Sequence, residues 1–264
     1  MTTSYNILNC RFDAVSEAGA AQWAKETLRA GKRGHISTVN VAILMMMRSD
    51  ARLKQYIDDS GLIVADGQPL IWLSKLMRKP LPERVAGVEL VHELVNVASQ
   101  EQAGIYLMGA KQDIVEDVAK NLTQQTPNAQ IVGVQDGYFT QEESAARAQA
   151  IRESGAKLLI VAMGVPRQEQ FLQDHWEDLN VQLAIGVGGS FDVIAGRTKR
   201  APQWMQTVGL EWFFRMSQEP KRLAKRYFVT NSQFIWLSGW ALLGQLLGLG
   251  NKTVTQSDAR QPLT

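Results

Sequence analysis

Short apolar runs alternate with segments of helical period through the first two thirds of the chain. The runs at 36–40 (ISTVN), 62–65 (LIVA), 104–109 (GIYLMG), 129–134, 157–163 and 181–187 read as strands, and the segments 42–47, 51–57, 111–125, 142–154 and 171–179 as helices. The strand runs are apolar almost throughout rather than at every second position, which is the pattern of strands buried on both faces. Alternation of such strands with helices of a few turns predicts an α/β fold: a mostly parallel, Rossmann-like sheet with helices on both faces. After Gly196 the pattern changes. Ala201-Pro202 marks a boundary, and two further helices are expected over 205–215 and 220–247, the second opening on Pro220, which suits a first helical turn. The expected organisation is an α/β catalytic body over 1–196, a basic and aromatic helical appendage over 197–250, and a disordered polar tail over 251–264.

A parallel sheet of this kind binds ligands outside the carboxyl ends of its strands. Asp66 ends one expected strand and precedes Gly67, so its carboxylate is the first candidate for a general base, the alternative being a plain Asp-Gly turn. Thr38 and Asn40 follow another strand and can hydrogen-bond sugar or phosphate oxygens, or Asn40 can cap a helix. Arg84, in a loop after Pro82-Glu83, can hold phosphate oxygens bidentately or join a surface ion pair. Glu83 and Glu89 are alternative bases. Gln168, in GVPRQE, can read sugar hydroxyls beside loop amides suited to an anion. Asp136 and Tyr138 offer a polar edge and an aromatic face for a nucleobase, or Tyr138 packs in the core. Gly188 and Gly189 form a glycine loop, but no dinucleotide fingerprint and no Walker sequence accompanies it.

Composition narrows this picture. With 264 residues, 45% hydrophobic and 20% charged, the chain can bury a sizeable core, and its net charge of +2 conceals a basic final third. Arg197, Lys199, Arg200, Arg215, Lys221, Arg222, Lys225 and Arg226 crowd together among aromatic residues. On the last helix Lys221 and Lys225 share one face and Arg222 and Arg226 the adjacent one, a surface that could meet a diphosphate or simply be a solvated basic helix. The segment 234–249 carries no charge and would span about 24 Å as a helix. That is short for a membrane crossing, so an interfacial membrane helix, or packing against the body or against another subunit of a homo-oligomer, is expected. One cysteine, and His35, His92 and His175 without ligand spacing, leave no expected metal site. The first residues lack a secretory pattern, which places the body in the cytoplasm. No nucleic-acid-binding signature accompanies the basic patch.

ADG at 65–67, LPERVAG at 81–87, GVPRQE at 164–169, then GVGGSFDVIAG, RAP, GLEWFFR and EPKRLAKR occur in an order that resembles the WecG/TagA/CpsF family, glycosyltransferase family 26. The resemblance covers the chain to about Tyr227. It implies an inverting, metal-independent and cofactor-free transferase. Such an enzyme moves N-acetylmannosamine or its uronic acid from UDP onto a polyprenyl-diphosphate-linked sugar in cell-envelope polysaccharide synthesis, peripherally bound to the inner face of the plasma membrane. It implies Asp66 as base, Thr38, Asn40, Arg84 and Gln168 as active-site groups, and Arg215, Arg222 and Arg226, with Lys221, as diphosphate contacts. Val39 and Arg167 depart from the family's frequent residues and leave the donor sugar open. Transfer of glucose or another hexose, and a non-catalytic nucleotide-sugar-binding membrane scaffold, are the competing expectations.

Overall fold

The computed structural model describes residues 3–218 and 220–247, and of Arg222 and Arg226 the backbone alone. It opens on a hairpin of β1 (Ser4–Ile7) and β2 (Cys10–Asp13), joined through Leu8 and Asn9 at φ 51° and 66°. Two successive positive φ values give the turn the twist that a two-residue hairpin needs. Helix α1 (Glu17–Arg29) follows, with Ser16 Oγ accepting the Gly19 amide at 3.1 Å as its cap. The chain then runs β3 (Gly34–Val39), α2 (Val41–Met46), α3 (Ala51–Asp58), β4 (Leu62–Ala65), α4 (Gln68–Leu76) and α5 (Gly87–Gln100). It continues through β5 (Ile105–Gly109), α6 (Gln112–Gln125), β6 (Ile131–Gln135), α7 (Ser144–Glu153), β7 (Leu158–Ala162), α8 (Arg167–Leu179), β8 (Leu183–Gly186) and α9 (Ser190–Ile194). Helices α10 (Gln203–Thr207), α11 (Glu211–Gln218) and α12 (Pro220–Leu246) complete the described chain.

Strands β3 to β8 form one parallel sheet in the order β4-β3-β8-β7-β5-β6. The expected α/β class is therefore the observed one, with all six expected strands in the sheet. Each strand alternates its side chains between two cores. Val39, Ile63, Ala65, Met108, Leu159, Val161 and Ala184 point to the layer of α2, α3, α7 and α8. Ile36, Leu62, Val64, Leu107, Ile160, Leu183 and Ile185 point to the layer of α1, α5, α6 and α9. Because both faces are covered, the period of two is invisible in hydropathy, and the strands read as unbroken apolar runs.

The sequence pattern missed the β1–β2 hairpin, α1, α4, α5 and α9, and the helix expected over 205–215 is two, α10 and α11, parted at Gly209 with φ 67°. The hairpin turn is Leu-Asn rather than Asn-Gly, the strongest hairpin signal. Helix α5 has its apolar residues on several sides because it is packed on several sides: Val88, Leu90, Val91, Leu94, Val95, Val97 and Ala98 are all buried.

Helix α12 lies against α2 and α11 and turns Leu223, Thr230 and Phe234 inward. Its other side leaves Phe228, Ile235, Trp236, Trp240 and Leu246 exposed. Among the described residues no helix is long and apolar enough to cross a membrane. The expected tail at 251–264 and the last three residues of the expected appendage lie outside the described residues.

The carboxyl end of β5 is fixed by close backbone approach. Gly109 sits at φ +141°, and a Cβ there would lie 2.4 Å from the Ala162 carbonyl oxygen on β7. Since neither backbone can yield, Gly109→Ala should cost about 2–4 kcal/mol from strain and overpacking together. Gly155→Ala, at φ +68° with open space around it, should cost about 1 kcal/mol, from backbone strain alone. Urea unfolding curves of the two variants, compared at unchanged m, check the ranking.

Candidate active site

Asp66 stands immediately after β4, where three elements are stitched together. Its amide donates to the Val39 carbonyl at 2.9 Å, and the Val85 amide donates to the Ala65 carbonyl at 3.0 Å. The second bond draws the 80–86 loop across the end of β4 and brings Arg84 to Asp66. Gly67 has an extended backbone (φ 178°), so it supplies room rather than a special conformation. A Cβ on it would lie 3.9 Å from the Asn40 Cβ. Asn40 is half-buried there and caps α2, its Oδ1 accepting the Ile43 amide at 3.0 Å. The capping reading of Asn40 is thus observed, and its Cβ packs beside Gly67.

Two guanidiniums and a second carboxylate surround Asp66. Arg84 Nη1 donates to Glu211 Oε2 at 2.5 Å and its Nη2 to Gln206 Oε1 at 3.0 Å. Arg215 Nη2 reaches Glu211 Oε1 at 3.2 Å, one helical turn along α11. Burial pushes the Asp66 carboxyl up to about 6; Glu211 adds to the rise, while Arg84, Arg215 and a hydrogen bond from the Gly87 amide oppose it. Burial also acts on Glu211, but Arg215 and Arg84 outweigh it and hold that carboxyl below its ordinary range. Asp66 is therefore a carboxylate poised near neutrality, and Glu211 a firmly ionised one.

A second knot joins the ends of β7 and β8. Gln168 is buried, and its Oε1 accepts the Gly164 amide at 3.2 Å and the Gly188 amide at 3.0 Å. Its Nε2 donates to Glu169 Oε1 at 2.8 Å. Gln168 thus fixes two glycine loops, its carbonyl oxygen taken by both loop amides and its nitrogen bonded to Glu169. Gly186 makes this possible, because a Cβ there would sit 2.4 Å from Gln168 Nε2. Thr38 Oγ1 donates to the Gly186 carbonyl at 3.3 Å. Thr38, Tyr56 and Glu169 line a cavity of about 10 Å³, room for a single water. Tyr56 Oη and Glu169 Oε2 are buried there without a protein partner, and burial raises the Glu169 carboxyl to about 7.

Asp136 and Tyr138 lie at the opposite edge of the sheet from Asp66. Five inter-strand steps separate β4 from β6, about 24 Å. Asp136 pairs with Arg147 at 3.3 Å and accepts the Tyr138 amide at 2.8 Å. Tyr138 is 67% exposed, so the core-packing reading fails for it. Phe139, half-buried against Phe171, takes that role. Arg167 leans back over this loop, donating to the Gly137 carbonyl at 3.3 Å.

The structure therefore brings Asp66, Arg84, Asn40 and Arg215 into one group, and Thr38, Gln168, Gly188 and Gly189 into a neighbouring one. Arg222 and Arg226 lie on α12, their side chains outside the described set, while Lys221 and Lys225 are exposed. Glu83 accepts the Glu17 amide at 2.8 Å, and Glu89 pairs with Arg200; neither is placed with Asp66. Arg197 pairs with Asp113 and Asp117. Glu211, Gln206 and Tyr56 escaped sequence reading. For Glu211 a signal existed, the four-residue spacing to Arg215; for Tyr56 none did.

Asp66 has a consequence for stability. Its folded pKa lies above the unfolded carboxylate value, so its contribution is fully present below about pH 4 and is lost as pH rises through about 6. Asp66→Asn should therefore gain stability relative to the parent chain between pH 5 and pH 8, by about 1 kcal/mol. Thermal unfolding of both proteins at the two pH values checks this.

Comparison with known proteins supplies the family. The model of the glycosyl transferase WecG/TagA/CpsF family matches residues 5–248. The chain is 35% identical over 187 residues, 71% of its length and 72% of the relative's, to the N-acetylglucosaminyldiphosphoundecaprenol N-acetyl-beta-D-mannosaminyltransferase of Bacillus subtilis (strain 168). With nearly all of its described residues inside that match, this chain belongs to the WecG/TagA/CpsF family and is a glycosyltransferase.

Proposed function

We propose that this protein is an inverting, metal-independent transferase in cell-envelope polysaccharide synthesis. It moves a hexose-type sugar, N-acetylmannosamine or its uronic acid, from UDP to a polyprenyl-diphosphate-linked sugar. The observation that carries the reading is the grouping of Asp66, with its carboxyl near neutrality, beside the guanidiniums of Arg84 and Arg215. The name of the Bacillus relative supplies the donor sugar and the class of acceptor.

The chemistry follows from charge and position. The acceptor hydroxyl gives its proton to Asp66 as its oxygen bonds to the anomeric carbon, and the bond from that carbon to the UDP oxygen breaks on the opposite face. One displacement inverts the anomeric centre. Negative charge grows on the departing diphosphate, and guanidiniums already fixed by the fold stabilise it without reorganising. The loop amides braced by Gln168 offer N–H donors at the neighbouring strand ends, whereas Asp136 and Tyr138, at the opposite edge of the sheet from β4, lie too far from Asp66 to hold the nucleobase of the sugar nucleotide reacting there.

The membrane belongs to this reading. Phe228, Ile235, Trp236, Trp240 and Leu246 form an exposed apolar side of α12, and Lys221 and Lys225 are exposed near its start. An apolar side beside cations suits an anionic lipid interface, where the helix lies on the surface and does not span it. On this reading the protein works peripherally on the inner face of the plasma membrane, within reach of a lipid-linked acceptor.

Three outcomes are expected. Asp66→Asn should lower turnover of UDP-N-acetylmannosamine with a synthetic polyprenyl-diphosphate acceptor by about 10²–10⁴-fold while leaving UDP-sugar binding within a few-fold. Turnover near the parent level would remove Asp66 from the mechanism. The kcat/KM of the parent chain should fall as pH drops through about 6, because the base must be ionised to accept a proton. Finally, Ile235→Ser with Trp236→Ser and Trp240→Ser should weaken sedimentation with anionic phospholipid vesicles and leave turnover of a detergent-soluble acceptor intact. Undiminished vesicle binding would remove α12 from the lipid contact. Mass measurement of products from a panel of UDP-sugars identifies the donor.

A further inference from the structure

The two arginines nearest Asp66 are already occupied. Arg84 Nη1 holds Glu211 Oε2 at 2.5 Å and Arg215 Nη2 holds Glu211 Oε1 at 3.2 Å, one guanidinium on each carboxylate oxygen. The side chains of Arg84 and Glu211 are only 16% and 19% exposed, so solvent screens their attraction weakly. A carboxylate bridging two guanidiniums through separate oxygens presents the same spacing and charge sign as two oxygens of a phosphate. Gln206 completes the arrangement, its Oε1 accepting Arg84 Nη2 while its Nε2 donates to the Ala201 carbonyl.

Charge balance shows what must follow when a diphosphate arrives. Arg84 and Arg215 offset the two carboxylates of Glu211 and Asp66, leaving the unliganded group near neutral. A diphosphate entering beside both carboxylates would leave the half-buried group strongly negative, which is costly out of water. The carboxylate that can give way is Glu211, because Asp66 stands at the strand end with its amide in the β3–β4 ladder, whereas Glu211, in the first turn of α11, carries its carboxylate on a side chain one methylene longer.

We propose that Glu211 is a built-in occupant of the diphosphate subsite: it keeps Arg84 and Arg215 aligned while the site is empty, and the diphosphate displaces it. This rests on the transferase reading above and adds a specificity element to it. A ligand must out-compete an intramolecular carboxylate held by two guanidiniums. A diphosphate, with charge to spare on several oxygens, does so; a single orthophosphate does not. Glu211 acts through the two arginines and is in that sense a positioning and specificity residue.

The test is titration calorimetry of the full chain with inorganic pyrophosphate and with orthophosphate. Glu211→Gln should bind pyrophosphate about tenfold more tightly than the parent and acquire measurable orthophosphate binding. Glu211→Ser should do the same, which guards against a peculiarity of one variant, and circular dichroism verifies that both fold. Adding Arg84→Ala to Glu211→Gln should remove the gain. A readout that a merely structural role would leave unmoved is the acidic limb of kcat/KM. With Arg84, Arg215, the Gly87 amide and Glu211 as the groups acting on Asp66, loss of the Glu211 charge should move that limb to lower pH. Unchanged or weaker pyrophosphate binding in both Glu211 variants would overturn the proposal even if the parent chain transfers sugar. Tighter pyrophosphate binding in a chain that transfers nothing would instead overturn the transferase reading and leave this one standing.

Discussion

A carboxylate that is to take a proton from an alcohol must be withdrawn from bulk water and still ionise near neutral pH. The structure meets both demands at the end of β4 through one backbone hydrogen bond, from the Val85 amide to the Ala65 carbonyl. That bond lays the 80–86 loop over the strand end, which desolvates Asp66 and delivers Arg84 in the same move. Without the loop Asp66 would be an ordinary exposed carboxylate with little basicity. Without the guanidinium, the same burial would carry its proton affinity higher still and leave it protonated at working pH.

The neighbouring group depends on burial of a different kind. Gln168 is a polar side chain inside the protein, tolerated because both its oxygen and its nitrogen are bonded, to Gly164, Gly188 and Glu169. An amide held at three points is rigid, and its rigidity passes to the two glycine loops it joins. The loops after β7 and β8 thereby hold a fixed separation although neither has a regular ladder of its own. The unpartnered Tyr56 Oη and Glu169 Oε2 behind Gln168 face a space with room for one water, which would complete the same network.

The sequence made the sheet readable because strands covered on both faces become continuous apolar runs, and it made Asp66, Thr38 and Asn40 readable because strand ends are where such sheets place chemistry. It hid α5 for the same reason that it exposed the strands: a helix buried on several sides loses its amphipathic stripe. It also hid the partners of the site residues. Arg84 and Glu211 are 127 residues apart, and Thr38 and Gly186 are 148 apart. Neither pairing has a local signature. Gln168 was visible as a polar residue in a loop, but only the fold shows that its hydrogen bonds are all turned inward.

The appendage links its exposed aromatic side to the charge around Asp66. Helix α12 carries the exposed aromatic residues and packs against α11, whose first turn holds Glu211 and whose last turn holds Arg215. Asp66 therefore has its electrostatic surroundings set partly by elements outside the sheet. When a diphosphate takes the place of Glu211, Asp66 exchanges one negative neighbour for another and does not lose its elevated proton affinity. The base keeps its strength through the exchange, which is what a proton acceptor beside a departing anion requires.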